Sequence, residues 1–154
     1  MRHALVFVLS GCMGAGAVEL GGEPWPLTDD LFHQDPHWLG GDIGATIDLA
    51  DGRTLWLFGD SFIATSANRT RRESRLVANS IAVMSGRDPA TATLDFEWQG
   101  GLAPGAYFPD AGDHRLRPMS GVRLAGTDAD GRGGPLVIFL AELDHVGGVV
   151  GTRA

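Results

Sequence analysis

The chain has 154 residues, 44% of them hydrophobic, which is enough for one ordinary folded core and too much for a disordered segment. Its net charge of -7 and pI near 5.0 have the wrong sign for a nucleic-acid partner, which is normally met by a cationic stripe. A single cysteine, Cys12, excludes an internal disulfide and a cysteine-built zinc or iron–sulfur centre, so no cofactor is expected. All 12 basic residues are arginine, which reads as a compositional habit. With 23 glycines and no apolar run that holds a helical period, tight turns between short strands are predicted, and the fold class is all-β.

The chain opens with Met1-Arg2-His3 and the apolar run Ala4 to Leu9, the basic-then-apolar order of a secretory signal. That run is too short to span a membrane. Leu9-Ser10-Gly11-Cys12 has the form of a bacterial lipobox, which would lipidate Cys12. A competing cleavage follows Ala15-Gly16-Ala17, so residues 1–17 are read as a signal peptide and the protein as exported, secreted or lipid-anchored at the cell surface. Residues 18–37 carry Pro24, Pro26 and Pro36 and are predicted as an extended lead-in. His33 and His37 have a ligand-like spacing, but Pro36 between them disfavours a shared helical face, and no metal site is assigned.

A hairpin follows, Gly44 to Leu49 running out and Arg53 to Phe58 running back across an Asp-Gly turn. The return strand is apolar on both faces, which suits a strand covered on two sides. Asn79 to Met84 and Thr91 to Trp98 read as a third and fourth strand, after a long polar segment. Four antiparallel strands joined as a meander make one β-propeller blade. Beyond the Gly/Pro-rich stretch Gly100 to Pro109, Ser120–Ala125 and Leu136–Ala141 read as two strands, with a third beginning at Val149. Residues 38–154 are therefore predicted as about one and a half blades, where closure takes roughly four to eight. Asp128, Asp130 and Gly131 resemble part of a calcium loop but lack its terminal glutamate, and read as a hairpin turn.

Asp42 and Asp60 each lie nine residues from Asp51, so the hairpin brings them together at its open end. With a loop of residues 50 to 52 they are direct partners, their Cβ atoms about 5 Å apart. With Asp51-Gly52 alone, Asp42 opposes Ser61. Two adjacent carboxylates suit glycoside hydrolysis, at about 5–5.5 Å for retention or roughly 6.5–9.5 Å for inversion. Capping of backbone amides beside Gly-rich turns is the structural alternative. Tyr107 and Phe108, in a loop beside Pro109, are candidate sugar platforms, whereas Trp56 and Trp98 fall within strands and read as core. Arg75, preceding the third strand, and Asn79, at its start, are further candidate substrate contacts.

The segments Trp38–Asp42, Asp51–Phe62 and Asn79–Val83 resemble the opening blade of a bacterial five-bladed β-propeller family (domain of unknown function 4185 type) that includes endo-D-arabinanases. The similarity covers roughly residues 38 to 145. It implies a glycosidase acting on arabinofuranose-containing polysaccharide, with Asp42 as nucleophile or base and Asp60 as acid/base, roles open to exchange. Leu116-Arg117-Pro118-Met119-Ser120-Gly121 stands where that family carries an aromatic-Trp-Pro run and an acidic turn. A propeller's site is shared around its axis, so a chain ending at Ala154 is expected to lack part of it. The alternative is a non-catalytic surface lipoprotein whose propeller binds glycan or a protein partner.

Overall fold

The computed structural model describes residues 22, 24–42, 44–101, 103–127 and 133–154. The predicted signal segment 1–17 with Cys12, and the turn at Asp128, Asp130 and Gly131, lie outside them. Within the lead-in expected to be extended, the chain instead forms a helix, α1 (Pro26–Phe32). Pro26 stands at its first position, where the missing N–H has no helical acceptor in any case. So short a helix is marginal alone. Packing holds it, through Leu31, which is buried, and Phe32, whose ring meets Trp56 edge-on at 4.9 Å.

Antiparallel sheets make up the remainder, apart from a 3-10 turn at Arg71–Glu73. The predicted hairpin forms from β2 (Ala45–Asp48) and β3 (Arg53–Phe58), with Ala45 opposite Leu57 and Asp48 opposite Thr54. Leu49 N–H donates to Arg53 O at 2.9 Å, so the loop is 50–52, the longer of the two alternatives. Ala50 and Gly52 take left-handed backbone angles of 60° and 85°. The turn is held by its own side chains: Asp48 Oδ1 accepts from Ala50 N–H at 2.8 Å and Asp51 Oδ1 from Arg53 N–H at 3.1 Å. Hydrogen bonds from the Arg53 side chain hold the Asp51 carboxyl below the usual carboxylate range.

With β6 (Ser80–Ser85) and β7 (Thr93–Glu97) the hairpin makes a four-stranded sheet ordered β2-β3-β6-β7, the sheet the apolar runs predict. The intervening polar segment is not loop throughout. It contains β4 (Ser61–Ala64) and β5 (Ser74–Val77), which join β1 (Trp38–Gly41) in a second sheet ordered β1-β4-β5. A third sheet, ordered β10-β9-β8, comprises β8 (Arg115–Arg123), β9 (Leu136–Leu143) and β10 (Val149–Arg153). Strand β8 begins at Arg115 rather than at Ser120. Pro118 disguised it: proline is tolerated here because β8 is an edge strand and its register shifts between Pro118 and Ser120.

Strand β3 shows why the four-stranded sheet sits between two layers. Its alternate residues Trp56 and Phe58 join a cluster with Leu31, Trp38, Ile63, Val77 and Ala82, beneath α1 and the small sheet. Its other residues, Leu55 and Leu57, join Ile47 and Ile81 on the opposite face, where Ile138 of β9 packs against them. Aromatic rings fill the first layer, Trp38 stacking on Phe96 at 4.3 Å and 21°. In the second layer β8 approaches β2 closely because residue 121 is glycine. A Cβ there would lie 2.7 Å from Val137 O and collide with Ile47 Cδ1. We predict that Gly121→Ala lowers unfolding stability by about 1–3 kcal/mol in urea titration, an overpacking cost. An unchanged midpoint would contradict this account of the sheet contact.

Candidate functional site

Strands β1 and β4 continue the ribbon of β2 and β3 in the same register: Gly41 pairs with Ser61 and Gly40 with Phe62. Asp42 and Asp60 therefore stand opposite each other where the ribbon passes from one sheet to the next. Asp42 N–H donates to Asp60 O at 3.0 Å, and Gly59 N–H to Asp42 O at 2.9 Å. Gly59 leaves room for the acidic group: a Cβ there would collide with Asp42 Oδ1 and lie 3.0 Å from Arg117 Nε. The pairing expected from the longer loop is the one observed.

Each aspartate meets an arginine of β8. Arg117 Nη2 donates to Asp42 Oδ2 at 2.5 Å, and Arg115 Nη2 to Asp60 Oδ1 at 3.0 Å. The carboxylate side chains remain 49% and 34% exposed, so these pairs contribute at most about 1 kcal/mol each to stability and act chiefly by fixing orientation. Neither arginine was among the sequence candidates. The available signal was the alternation Arg115-Leu116-Arg117, which places both guanidinium groups on one face of a strand.

Asn79, expected to contact substrate, is buried, and its side chain is used within the protein. Its Nδ2 donates to Phe108 O at 3.0 Å and to Leu116 O at 2.7 Å, and its Oδ1 accepts from Phe108 N–H at 2.7 Å. Leu116 lies between the two arginines, so Asn79 fixes the strand that carries them. Beneath Asp60, Ser61 Oγ donates to Gly59 O at 2.8 Å and lies 2.8 Å from Ser80 Oγ, which accepts from Trp38 Nε1 at 3.2 Å. These buried bonds make Asn79 and Ser61 positioning residues.

Two adjoining cavities open on the pair. One, of about 310 Å³, is lined by Gly41, Asp42, Asp60, Phe62, Arg71 and Leu76. The other, of about 240 Å³, also reaches Asp60 and Leu76 and adds Arg75, Asp110 and Arg115, with Pro104 to Ala106 along its side. Arg75 thus lines the cavity beside Asp60. Tyr107 and Phe108 line neither cavity: their rings meet each other edge-to-face at 5.0 Å and pack against the core of Ile47, Leu55, Leu57 and Ile81. Trp56, within β3, and Trp98, which lies just past the end of β7 rather than within a strand, both pack against the other core. The aromatic residue at the site is Phe62, with the Arg71 guanidinium 4.6 Å over its ring.

The loop carrying Arg71 is pinned by Glu73, which accepts from Ser66 Oγ at 2.6 Å and Asn68 Nδ2 at 2.7 Å. Those two hydrogen bonds hold the Glu73 carboxyl below the usual glutamate range.

The described chain is thus an antiparallel β domain with an arginine-clamped pair of aspartates at the junction of two sheets. Residues 27–100 match the model of a family described as a domain of unknown function (DUF5005). No curated protein and no solved structure matches the chain. The matched stretch includes Asp42, Asp60, Arg75 and Asn79 and ends before Arg115 and Arg117.

Two outcomes follow from this geometry. Asn79→Ala strands Phe108 N–H and two carbonyls in the interior and should cost about 2–4 kcal/mol in chemical denaturation; a loss under about 0.5 kcal/mol would contradict the staple. Because the Glu73 carboxyl is depressed in the fold, its contribution is present above the unfolded glutamate value and is lost as pH falls through the folded one. An NMR titration of its side-chain carboxyl should give a midpoint below that of an ordinary glutamate, and an ordinary midpoint would remove the pin.

Proposed function

We propose that this chain carries the paired-aspartate site of an exported glycoside hydrolase built on a five-bladed β-propeller and acting on arabinofuranose-containing polysaccharide. One observation carries the reading: Asp42 and Asp60 are cross-strand neighbours opening onto two adjoining cavities, and Asp60 borders both while Asp42 borders one. A glycosidic oxygen lies between two sugar units, so the carboxyl common to both cavities is the one placed to protonate it. Asp60 is accordingly the acid/base. Asp42, on one side only, faces the sugar whose anomeric carbon is attacked, and serves as nucleophile or as base for a water. As the C–O bond breaks, the leaving oxygen takes the proton of Asp60, and the anomeric carbon gains a bond to Asp42 or to the activated water.

The four-stranded antiparallel sheet, followed by a second meander packed on its face, supports the propeller reading. The resemblance of Trp38–Asp42, Asp51–Phe62 and Asn79–Val83 to the arabinanase-containing family supports the substrate. A second reading, glycan binding without turnover, is favoured by the two ion pairs. Arg115 beside Asp60 and Arg117 beside Asp42 set hydrogen-bond donors next to acceptors, a pattern that fits adjacent sugar hydroxyls with no proton transfer.

Asp42→Asn and Asp60→Asn should each lower arabinan cleavage, read as reducing ends released, by about 10²–10⁴-fold in folded protein. Wild-type rates in both variants would overturn the catalytic assignment. Arabinan binding by the unmutated chain without cleavage, weakened by both substitutions, would establish the second reading.

A further inference from the structure

Charge is distributed unevenly around the site. The chain has 19 acidic residues against 12 arginines, yet the two cavities beside Asp60 collect Arg71, Arg75 and Arg115. Asp42 and Asp60 are already engaged by Arg117 and Arg115. Arg71 and Arg75 have no carboxylate partner among the described residues, and Asp110 is the one further acid lining either cavity. These two cations fall one to each cavity, on either side of Asp60.

Both stand on ordered elements. Arg75 belongs to β5, paired opposite Ile63 of β4. Arg71 lies over the Phe62 ring in the loop pinned by Glu73. Hydroxyl groups alone do not require such cations, since the aspartates, their arginine partners and nearby backbone supply donors and acceptors. A guanidinium fork matches a carboxylate or a phosphate, where it forms two parallel charge-assisted bonds. One such fork in each of two neighbouring cavities fits a polymer whose successive units each bear a negative group.

We propose that this groove binds an anionic glycan, with Arg71 and Arg75 each holding a carboxylate or phosphate group on the sugar units that flank Asp60. The proposal rests on the reading of the groove as a glycan site and narrows its substrate class. An overall charge of -7 repels anionic polymers non-specifically, so binding of this kind must come from the local arginines.

The experiment is a calorimetric comparison of three polymers of matched length on the intact protein: polygalacturonate for carboxylate, a polyol-phosphate polymer for phosphate, and neutral arabinan. At least one anionic polymer should bind about tenfold tighter than arabinan at low ionic strength, the gain of one charged hydrogen-bonded contact. The arm that does so identifies the group. That preference should shrink to under about twofold in an Arg71→Gln, Arg75→Gln double variant and fall as salt rises from about 0.05 to 0.5 M. Arg87→Gln, which removes an exposed arginine paired with Asp48, should leave it unchanged. Equal binding of all three polymers, or a preference that survives the double variant, overturns the anionic specificity and leaves the glycan site standing. Binding of none of them overturns the glycan reading itself.

Discussion

The three-residue turn Ala50-Asp51-Gly52 is the constraint on which the site depends. It fixes which residue of the outgoing strand meets which residue of the returning one, and a register shift of one would set Asp42 against Ser61. Two side chains enforce it, Asp48 onto Ala50 N–H and Asp51 onto Arg53, with left-handed backbone at Ala50 and Gly52. Because β1 and β4 carry the same register onward, the turn acts on a pair of aspartates nine residues away in each direction. Hydrophobic burial reinforces it. Leu55 and Leu57 lie in one core and Trp56 and Phe58 in the other, so a slip by one residue would exchange the occupants of both layers.

Orientation of the carboxylates comes from the third sheet. Arg115 and Arg117 reach Asp60 and Asp42 from β8, whose position is fixed by Asn79 at Leu116 O and by the glycine contact at residue 121. The bonds that fix the frame are buried, whereas the ion pairs at the surface are half-exposed and weak. Buried side chains of Asn79, Ser61 and Ser80 hold the backbone, whereas Asp42, Asp60, Arg71 and Arg75 line the two cavities.

Much of this organisation was legible in the residues. The both-face apolar pattern of Arg53 to Phe58 announced a strand buried on two sides, and equal spacing about Asp51 announced the aspartate pair. Spacing left two loops open, and the choice was made by Asx-type hydrogen bonds, which a strand pattern does not encode. The helix at 26–32 was hidden because its support is tertiary, from Leu31 and Phe32 in a distant aromatic cluster. Strands β4 and β5, four residues each, are too short to stand out, and Pro118 masks the start of β8 at its irregular edge. Asn79 and the Tyr107-Phe108 loop resemble substrate contacts in the sequence because they are polar and aromatic residues near the aspartate pair. Only the fold shows that Asn79 turns inward to fasten that same loop.

The junction of the two sheets at Asp42 and Asp60 is the proposed ligand site. Amide NMR of the isotope-labelled protein, titrated with arabinofuranose oligosaccharides and with the anionic polymers, tests it most directly. Resonances of Gly41, Asp42, Gly59, Asp60 and Arg75 should move together and saturate, while those of β10 stay fixed. Saturable changes confined to any other face of the molecule, with these five amides unmoved, would contradict the account.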